Sequence, residues 1–249
     1  CLILYFTIKF HNSPTALYAF ATGSLIGLAT LIRPTDIVSI LIPLFWNVSS
    51  LKEIKTKLVF IQQHFFKFVL MAVSLFLVFS IQMIYWKYVT NDWFVYSYEK
   101  QGFNWLHPHV FNYTLSYNCG WLRYSPMLIL PLLGLVYYVI KGKNSFSIVM
   151  FIALNSYIVM SWELWDYAGS AGRAMVQSYP VLAFPFCLLI ERMQKSKWTS
   201  ILLYLSMTFF AYLNIWWTYH AHAGNIQASG LTKEYYWKVV GRWNATDED

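Results

Sequence analysis

Long apolar runs separated by short polar turns set the pattern of this chain. Thr15 to Ile32, Phe65 to Trp86, Pro126 to Ile140, Ser145 to Trp162, Ser178 to Ile190 and Trp198 to Trp217 carry almost no charge. At about 1.5 Å per helical residue, runs of this length approach or cross a hydrocarbon core of about 30 Å. The pattern predicts an all-α fold, a polytopic bundle of transmembrane helices. The first long run should stop at Arg33-Pro34-Thr35-Asp36, because a proline disfavours helical geometry at the residue before it and donates no hydrogen bond of its own. A shorter apolar run to Trp46 then completes a helical hairpin with Arg33 and Asp36 at its tip. Cys1 to Ile8 reads as the end of a span and Lys9 to Ser13 as a turn, so the chain is expected to be the later part of a longer protein. The organisation expected is a membrane module over 1–217, with loops at 87–125 and 163–178, and a polar tail over 218–249 whose aromatic middle fits a short amphipathic helix.

Composition agrees with the pattern. With 58% hydrophobic and only 12% charged residues, a soluble globule of this length would lack the polar material to cover its surface. A net charge of +7 would point to nucleic acid in a soluble chain. Here the lysines and arginines fall in the short turns, so they report membrane orientation and no nucleic-acid partner is expected. Lys52, Lys55 and Lys57, then Lys141 and Lys143, then Arg192, Lys195 and Lys197 occupy turns of one parity, which the positive-inside rule makes cytoplasmic. Arg33, the 87–125 segment, the stretch from Trp162 to Arg173 and the tail then share the outer face. The 87–125 segment is crowded with aromatic residues and fits a structured loop lying on the membrane. Cys1, Cys119 and Cys187 have neither metal-ligand spacing nor a disulfide pattern.

The residues with chemical potential collect on that outer face. Trp162-Glu163-Leu164-Trp165-Asp166-Tyr167-Ala168-Gly169-Ser170-Ala171-Gly172-Arg173 puts two acids, a guanidinium and two glycines between apolar runs, where charge is costly and usually lines a site. The alternative is a solvated loop with aromatic anchors. Glu163 and Asp166, three apart, fit one helical face and either acid–base work or ion pairing with Arg173. Trp162 and Trp165 are suited to stacking on a sugar ring or to marking the interface. Arg33, Arg123 and Arg173 are candidate phosphate ligands, because guanidinium keeps its charge and offers forked donors. An intramolecular pair with Asp36 is an equal reading for Arg33, and an ordinary interfacial arginine is the alternative for Arg123. His107 and His109, flanking Pro108, fit hydrogen bonding to sugar hydroxyls or phosphate. A plain surface loop is favoured over a divalent metal site, since no third ligand is near. No metal or other cofactor is assigned. The histidines at 220 and 222 are given no role, and sequons at Asn47, Asn112 and Asn244 matter only where the cell glycosylates proteins.

Two of these stretches resemble a known class. Gly27-Leu28-Ala29-Thr30-Leu31-Ile32-Arg33-Pro34-Thr35 is similar to the helix break G-L-x-x-L-x-R-P of bacterial multi-spanning glycosyltransferases of the GT-C class, related to protein O-mannosyltransferases and lipid A aminoarabinose transferases (family 39-like). The run from Trp162 through Gly169, Gly172 and Arg173 to Pro180 resembles a W-x-W-x-G-x-x-x-G-x-R stretch of that class. The resemblance covers about residues 15 to 190 and implies a GT-C-like fold in the bacterial inner (plasma) membrane. It implies transfer of a sugar from a polyprenyl-phosphate donor to an acceptor on the extracytoplasmic side. The catalytic base it implies lies in a first outer loop, which would precede residue 1, leaving Glu163 and Asp166 as the candidates within this chain. The same features also fit a transporter or flippase, a polymerase or ligase handling a lipid-linked saccharide, or a structural membrane subunit.

Overall fold

Every long apolar run becomes a helix. A computed structural model of the chain describes residues 1–96, 98, 101–166, 170–225 and 230–243. Tyr167, Ala168 and Gly169 of the outer stretch, the sequon at Asn244 and the acidic end of the tail lie outside the described residues. The fold is all-α, with helices α1 (Leu2–Asn12), α2 (Ala16–Ile32), α3 (Leu41–Phe45), α4 (Glu53–Gln63), α5 (Phe65–Thr90), α6 (Val110–Leu115), α7 (Trp121–Tyr124), α8 (Ile129–Lys141), α9 (Ser145–Ser161), α10 (Tyr179–Met193), α11 (Lys197–His222) and α12 (Lys233–Val239). Among the described residues, three apolar stretches are helical for long enough to cross a membrane: Phe65–Thr90, Gly172–Met193 and Lys197–His222. The other apolar runs, Ala16–Ile32, Pro34–Phe45, Pro126–Lys141 and Ser145–Ser161, form shorter helices. The chain is thus consistent with an integral membrane helical bundle.

The chain divides into two compact units, Cys1–Lys100 with Tyr138–Asn155, and Gln101–Tyr137 with Ser156–Asp249. In the first, Thr15 caps α2 by accepting the Tyr18 N–H at 3.2 Å. The helix ends where the proline argument places it, with Arg33 extended at φ −147° and Pro34 opening a 3-10 turn over Pro34–Ile40. What holds α2 to α5 is a pair of glycines four apart. A Cβ on Gly23 would stand 2.0 Å from the Met71 carbonyl oxygen, and one on Gly27 2.6 Å from that of Leu75. Small residues at this spacing let helix backbones touch where no hydrophobic effect between helices is available. A second join ties the start of α9 to the chain after α3. Asn144 accepts the Asn47 N–H at 2.7 Å through its side chain, and its own N–H donates to Ser49 Oγ at 3.0 Å.

One charge departs from its expected place. Lys52 and Lys55 are exposed, but Lys57 is buried with only 6% of its surface accessible. Its ammonium lies 2.5 Å from His11 Nε2, donates to the Pro43 carbonyl at 3.0 Å and faces the rings of Phe60 and Phe68. His11 Nδ1 bonds the Thr7 carbonyl at 2.8 Å. That bond requires the proton on Nδ1 and leaves Nε2 as the acceptor for Lys57. Lys57 therefore cannot be counted with the orientation-setting loop charges, although Lys52 and Lys55 remain for that argument.

In the second unit α10 runs through Pro185, and a Cβ on Gly134 of α8 would lie 2.4 Å from the Pro185 carbonyl oxygen. The tail does form a short helix, α12, capped by Thr232. It packs into a core of Tyr124, Trp216, Trp217 and Val239. His220 is fully buried there. Its Nε2 bonds the Arg242 carbonyl at 2.8 Å, and Nδ1 meets the Asn225 amide at 3.0 Å. This histidine is a satisfied core residue.

Candidate functional site

Within the second unit, residues 101–125 of the first aromatic loop meet the start of the second. Phe103 and Trp162 form an antiparallel β-bridge. It is closed by Asn104 N–H donating to the Ser161 carbonyl at 2.6 Å and Glu163 N–H donating to that of Gly102 at 3.0 Å. Glu163 grips the same glycine twice, since its Oε2 accepts the Gly102 N–H at 2.9 Å. The bridge explains why Glu163 and Asp166 share no helical face. Residues 162–166 are bridge, bend and turn, and backbone groups that a helix would use internally are bonded across to 102–104.

Aromatic rings gather around this bridge. Phe103 stacks on Trp105 at 4.6 Å and 10°, and meets Trp162 edge-on at 4.8 Å. The Tyr157 hydroxyl donates to the Trp105 carbonyl at 2.6 Å. The His107 N–H is capped by Asn104 Oδ1 at 3.1 Å, and the His109 N–H donates to the Met160 carbonyl at 2.7 Å. The His109 ring lies 6.1 Å from that of Trp165. Both histidines thus serve the loop through their backbones. Among the described residues no three His, Cys, Asp or Glu side chains are placed to hold a metal.

The outer stretch is pinned at both ends to one short segment. Asp166 Oδ2 accepts the Asn118 amide at 3.3 Å. Asn118 Oδ1 in turn accepts the N–H groups of Gly230 and Leu231 at 2.6 and 3.2 Å. Three residues on, Trp121 receives Gly172, whose φ of +66° leaves no room for a side chain against the indole. The indole N–H of Trp121 donates to the Tyr179 hydroxyl at 3.3 Å. Arg173, next to Gly172, is exposed. Cys119, buried between these anchors, has its thiol pushed up to about 11 by burial first and the Asp166 carboxylate second. It stays protonated and is no nucleophile at neutral pH.

Arg123 is engaged differently from Arg173. Its Nε and Nη2 both donate to the Leu115 carbonyl, at 2.9 and 2.7 Å. Its guanidinium carbon lies over the ring of Tyr117 at 3.8 Å and over that of Tyr236 at 5.1 Å. Burial raises the Tyr124 and Tyr236 hydroxyls above their usual range, with the nearby Arg123 cation opposing the shift. Arg33 belongs to the first unit. It is half-buried, its carbonyl accepting the Asp36 N–H at 2.9 Å.

The structure brings Glu163, Trp162, Asp166, Trp165, His109, Arg123 and the turn before Arg173 onto one framework. Asn118, Trp121 and Gly102, which hold that framework, went unread in the sequence. The signal available for them was the cluster of small and amide residues in a run without charge. Comparison with family models, with curated proteins and with solved structures returns no match.

Proposed function

We propose that the chain belongs to a membrane glycosyltransferase of the GT-C type, which moves a sugar from a polyprenyl-phosphate carrier to an acceptor hydroxyl outside the cytoplasm. The observation that carries this reading is the double pinning of the outer stretch. Asn118 holds Asp166 and Trp121 seats Gly172, so an acid-bearing turn and an exposed arginine are fixed to the same short segment beside a bridge of aromatic rings.

In this reading the acceptor oxygen bonds to the anomeric carbon as the bond from that carbon to the phosphate oxygen breaks. The electron pair leaves with the lipid phosphate, and a carboxylate takes the acceptor proton. Glu163, exposed and steadied by Gly102, is the acid we assign to the acceptor side. Arg173, exposed beside the seated Gly172, neutralises the departing phosphate. Arg123, with two donors already on the Leu115 carbonyl, positions the segment. Trp162 and Trp165 supply faces suited to a sugar ring.

The test is Arg173→Ala and Arg173→Lys in membranes carrying the protein, supplied with a radiolabelled polyprenyl-phosphate sugar. Loss of one preorganised donor to developing charge predicts a fall in transfer of about 10²–10³-fold for alanine. Lysine restores part of it. Unchanged transfer in the alanine variant, or movement of the intact donor across the bilayer without cleavage, overturns the proposal.

A further inference from the structure

From Gln101 to Leu122 the sequence holds no Asp, Glu, Lys or Arg, an unusual length of uncharged chain for a segment that is neither a long helix nor a buried strand. Its large apolar side chains do not all turn inward. Leu106 is 87% exposed and Phe111 69%, and Trp105, Val110 and Leu115 are exposed with them. On α6, at 100° per residue, Val110, Phe111, Thr114 and Leu115 fall on one arc of about 140°, while Tyr113 on the opposite side is buried.

Three carbonyls beside these side chains are already bonded. The Trp105 carbonyl accepts the Tyr157 hydroxyl, the Val110 carbonyl accepts Thr114 Oγ1, both at 2.6 Å, and the Leu115 carbonyl accepts the two Arg123 donors. Backbone groups must be bonded internally before a segment can leave water for an apolar medium, since each unsatisfied group opposes the transfer. A loop built to face water has no need to cover the carbonyls next to its most exposed apolar residues.

The partner these features fit is a lipid surface. The chain reaches the segment from α5, whose end carries Tyr85, Trp86 and Tyr88, residues of the kind that settle at headgroup level. It leaves through the apolar helix Pro126–Lys141. The polar groups in between include the amides of Asn104 and Asn112, the hydroxyl of Ser116 and the imidazole of His107, which the headgroup layer can solvate.

We propose that Trp105–Leu106 and the Val110–Phe111–Leu115 face of α6 insert into the headgroup–acyl boundary of the bilayer, making 101–122 an interfacial anchor that holds Glu163, through Gly102 and the Phe103–Trp162 bridge, at headgroup depth. The inference is independent of the transferase reading, because a transporter or a structural bundle with this segment inserts it alike.

The experiment uses the full chain with its three native cysteines replaced by alanine and single cysteines at Leu106, Phe111 or, as a control in a short basic turn, Ser196. Each carries a nitrobenzoxadiazole label after reconstitution into phosphatidylcholine–phosphatidylglycerol vesicles. A nitroxide at lipid carbon 5 should quench the labels at 106 and 111 at least threefold more than that at 196, and more than a nitroxide at carbon 12 does. Aqueous iodide should give the opposite order. Iodide quenching at 106 and 111 equal to that at 196 means a solvated loop and overturns the proposal. Protection from both quenchers means that a protein or second copy covers the face, and also overturns it. A companion measurement needs no new cysteine: brominated lipid should quench the tryptophan emission of the unmodified chain more than that of Trp105→Phe.

Discussion

Gly172 lies against the indole of Trp121 so closely that a Cβ on it would stand 2.3 Å from Cδ1 and 2.5 Å from Cγ. Two requirements meet at this residue: a positive φ of +66°, and a contact that excludes any side chain. Trp121 is itself buried and tied to Tyr179 by its N–H, so the ring cannot swing aside without breaking that bond.

Gly172→Ala is therefore expected to destabilise the second unit twice over, by about 1–2 kcal/mol for the left-handed backbone and about 1–3 kcal/mol for overpacking against the indole. Thermal unfolding in detergent of the single variant, of Trp121→Ala and of the double variant separates the two. The double variant should recover the packing part and retain the backbone part. Strictly additive losses would mean that the glycine and the indole are not coupled.

Lys57 gives a prediction in pH. Burial lowers its amine from the usual 10.5 to about 7. Burial, and then the charge of Lys57, lowers His11 from 6.5 to about 3, against a smaller raising effect of its bond to Thr7. Both are bases whose folded values lie below their unfolded ones, so the unfolded chain binds more protons in each interval and stability rises with pH there. For Lys57 the penalty is absent above about 10.5 and complete below about 7, and that interval of 3.5 corresponds to about 5 kcal/mol at most. Acidification from 6.5 towards 3 then adds the penalty for His11. Unfolding followed from pH 7 to 10 should show the melting temperature of the protein climbing, and Lys57→Met should flatten the climb and raise stability at pH 7 by removing a buried charge that no carboxylate balances among the described residues. A parallel climb in the methionine variant would place the titrating group elsewhere.

The same lysine shows where the sequence stopped being legible. Periodicity and the absence of charge were enough to place α5 and α11, and Pro34 was enough to end α2 at Arg33, because these depend on neighbours along the chain. Lys57 looked like one more loop charge because its acceptor, His11, is 46 residues away. Glu163 and Asp166 carried a helical spacing, but their neighbourhood was decided by Gly102, 61 residues distant from Glu163, which takes backbone bonds that a helix would have kept. Gly23 read as an ordinary member of an apolar run and Gly27 as the opening of the G-L-x-x-L-x-R-P stretch, since nothing local marks a glycine as the point where another helix will touch. For the candidate site the residue types were readable and the framework was not. The candidate arginines and tryptophans stand out by kind, but the side-chain hydrogen bonds of Asn118 and Trp121 span 48 and 58 residues.

Arg123 tests how far a residue chosen for its kind can differ in its work. Its planar fork meets the Leu115 carbonyl with two donors, and its face rests on Tyr117 with Tyr236 of α12 beyond. Lysine keeps the charge but loses both the fork and the flat stacking surface. If Arg123 chiefly joins α7 to the tail helix, Arg123→Lys should lower the melting temperature by an amount corresponding to about 1–2 kcal/mol, the worth of a desolvated cation–ring contact. It should also open the chain before α12 to limited proteolysis while donor binding stays near normal. If it is instead a phosphate ligand, the lysine variant should melt as the unmodified protein does, resist proteolysis equally and lose affinity for the polyprenyl phosphate. Protease protection and lipid binding read on the same preparation decide between these, because the first depends on Tyr236 staying over the guanidinium and the second does not.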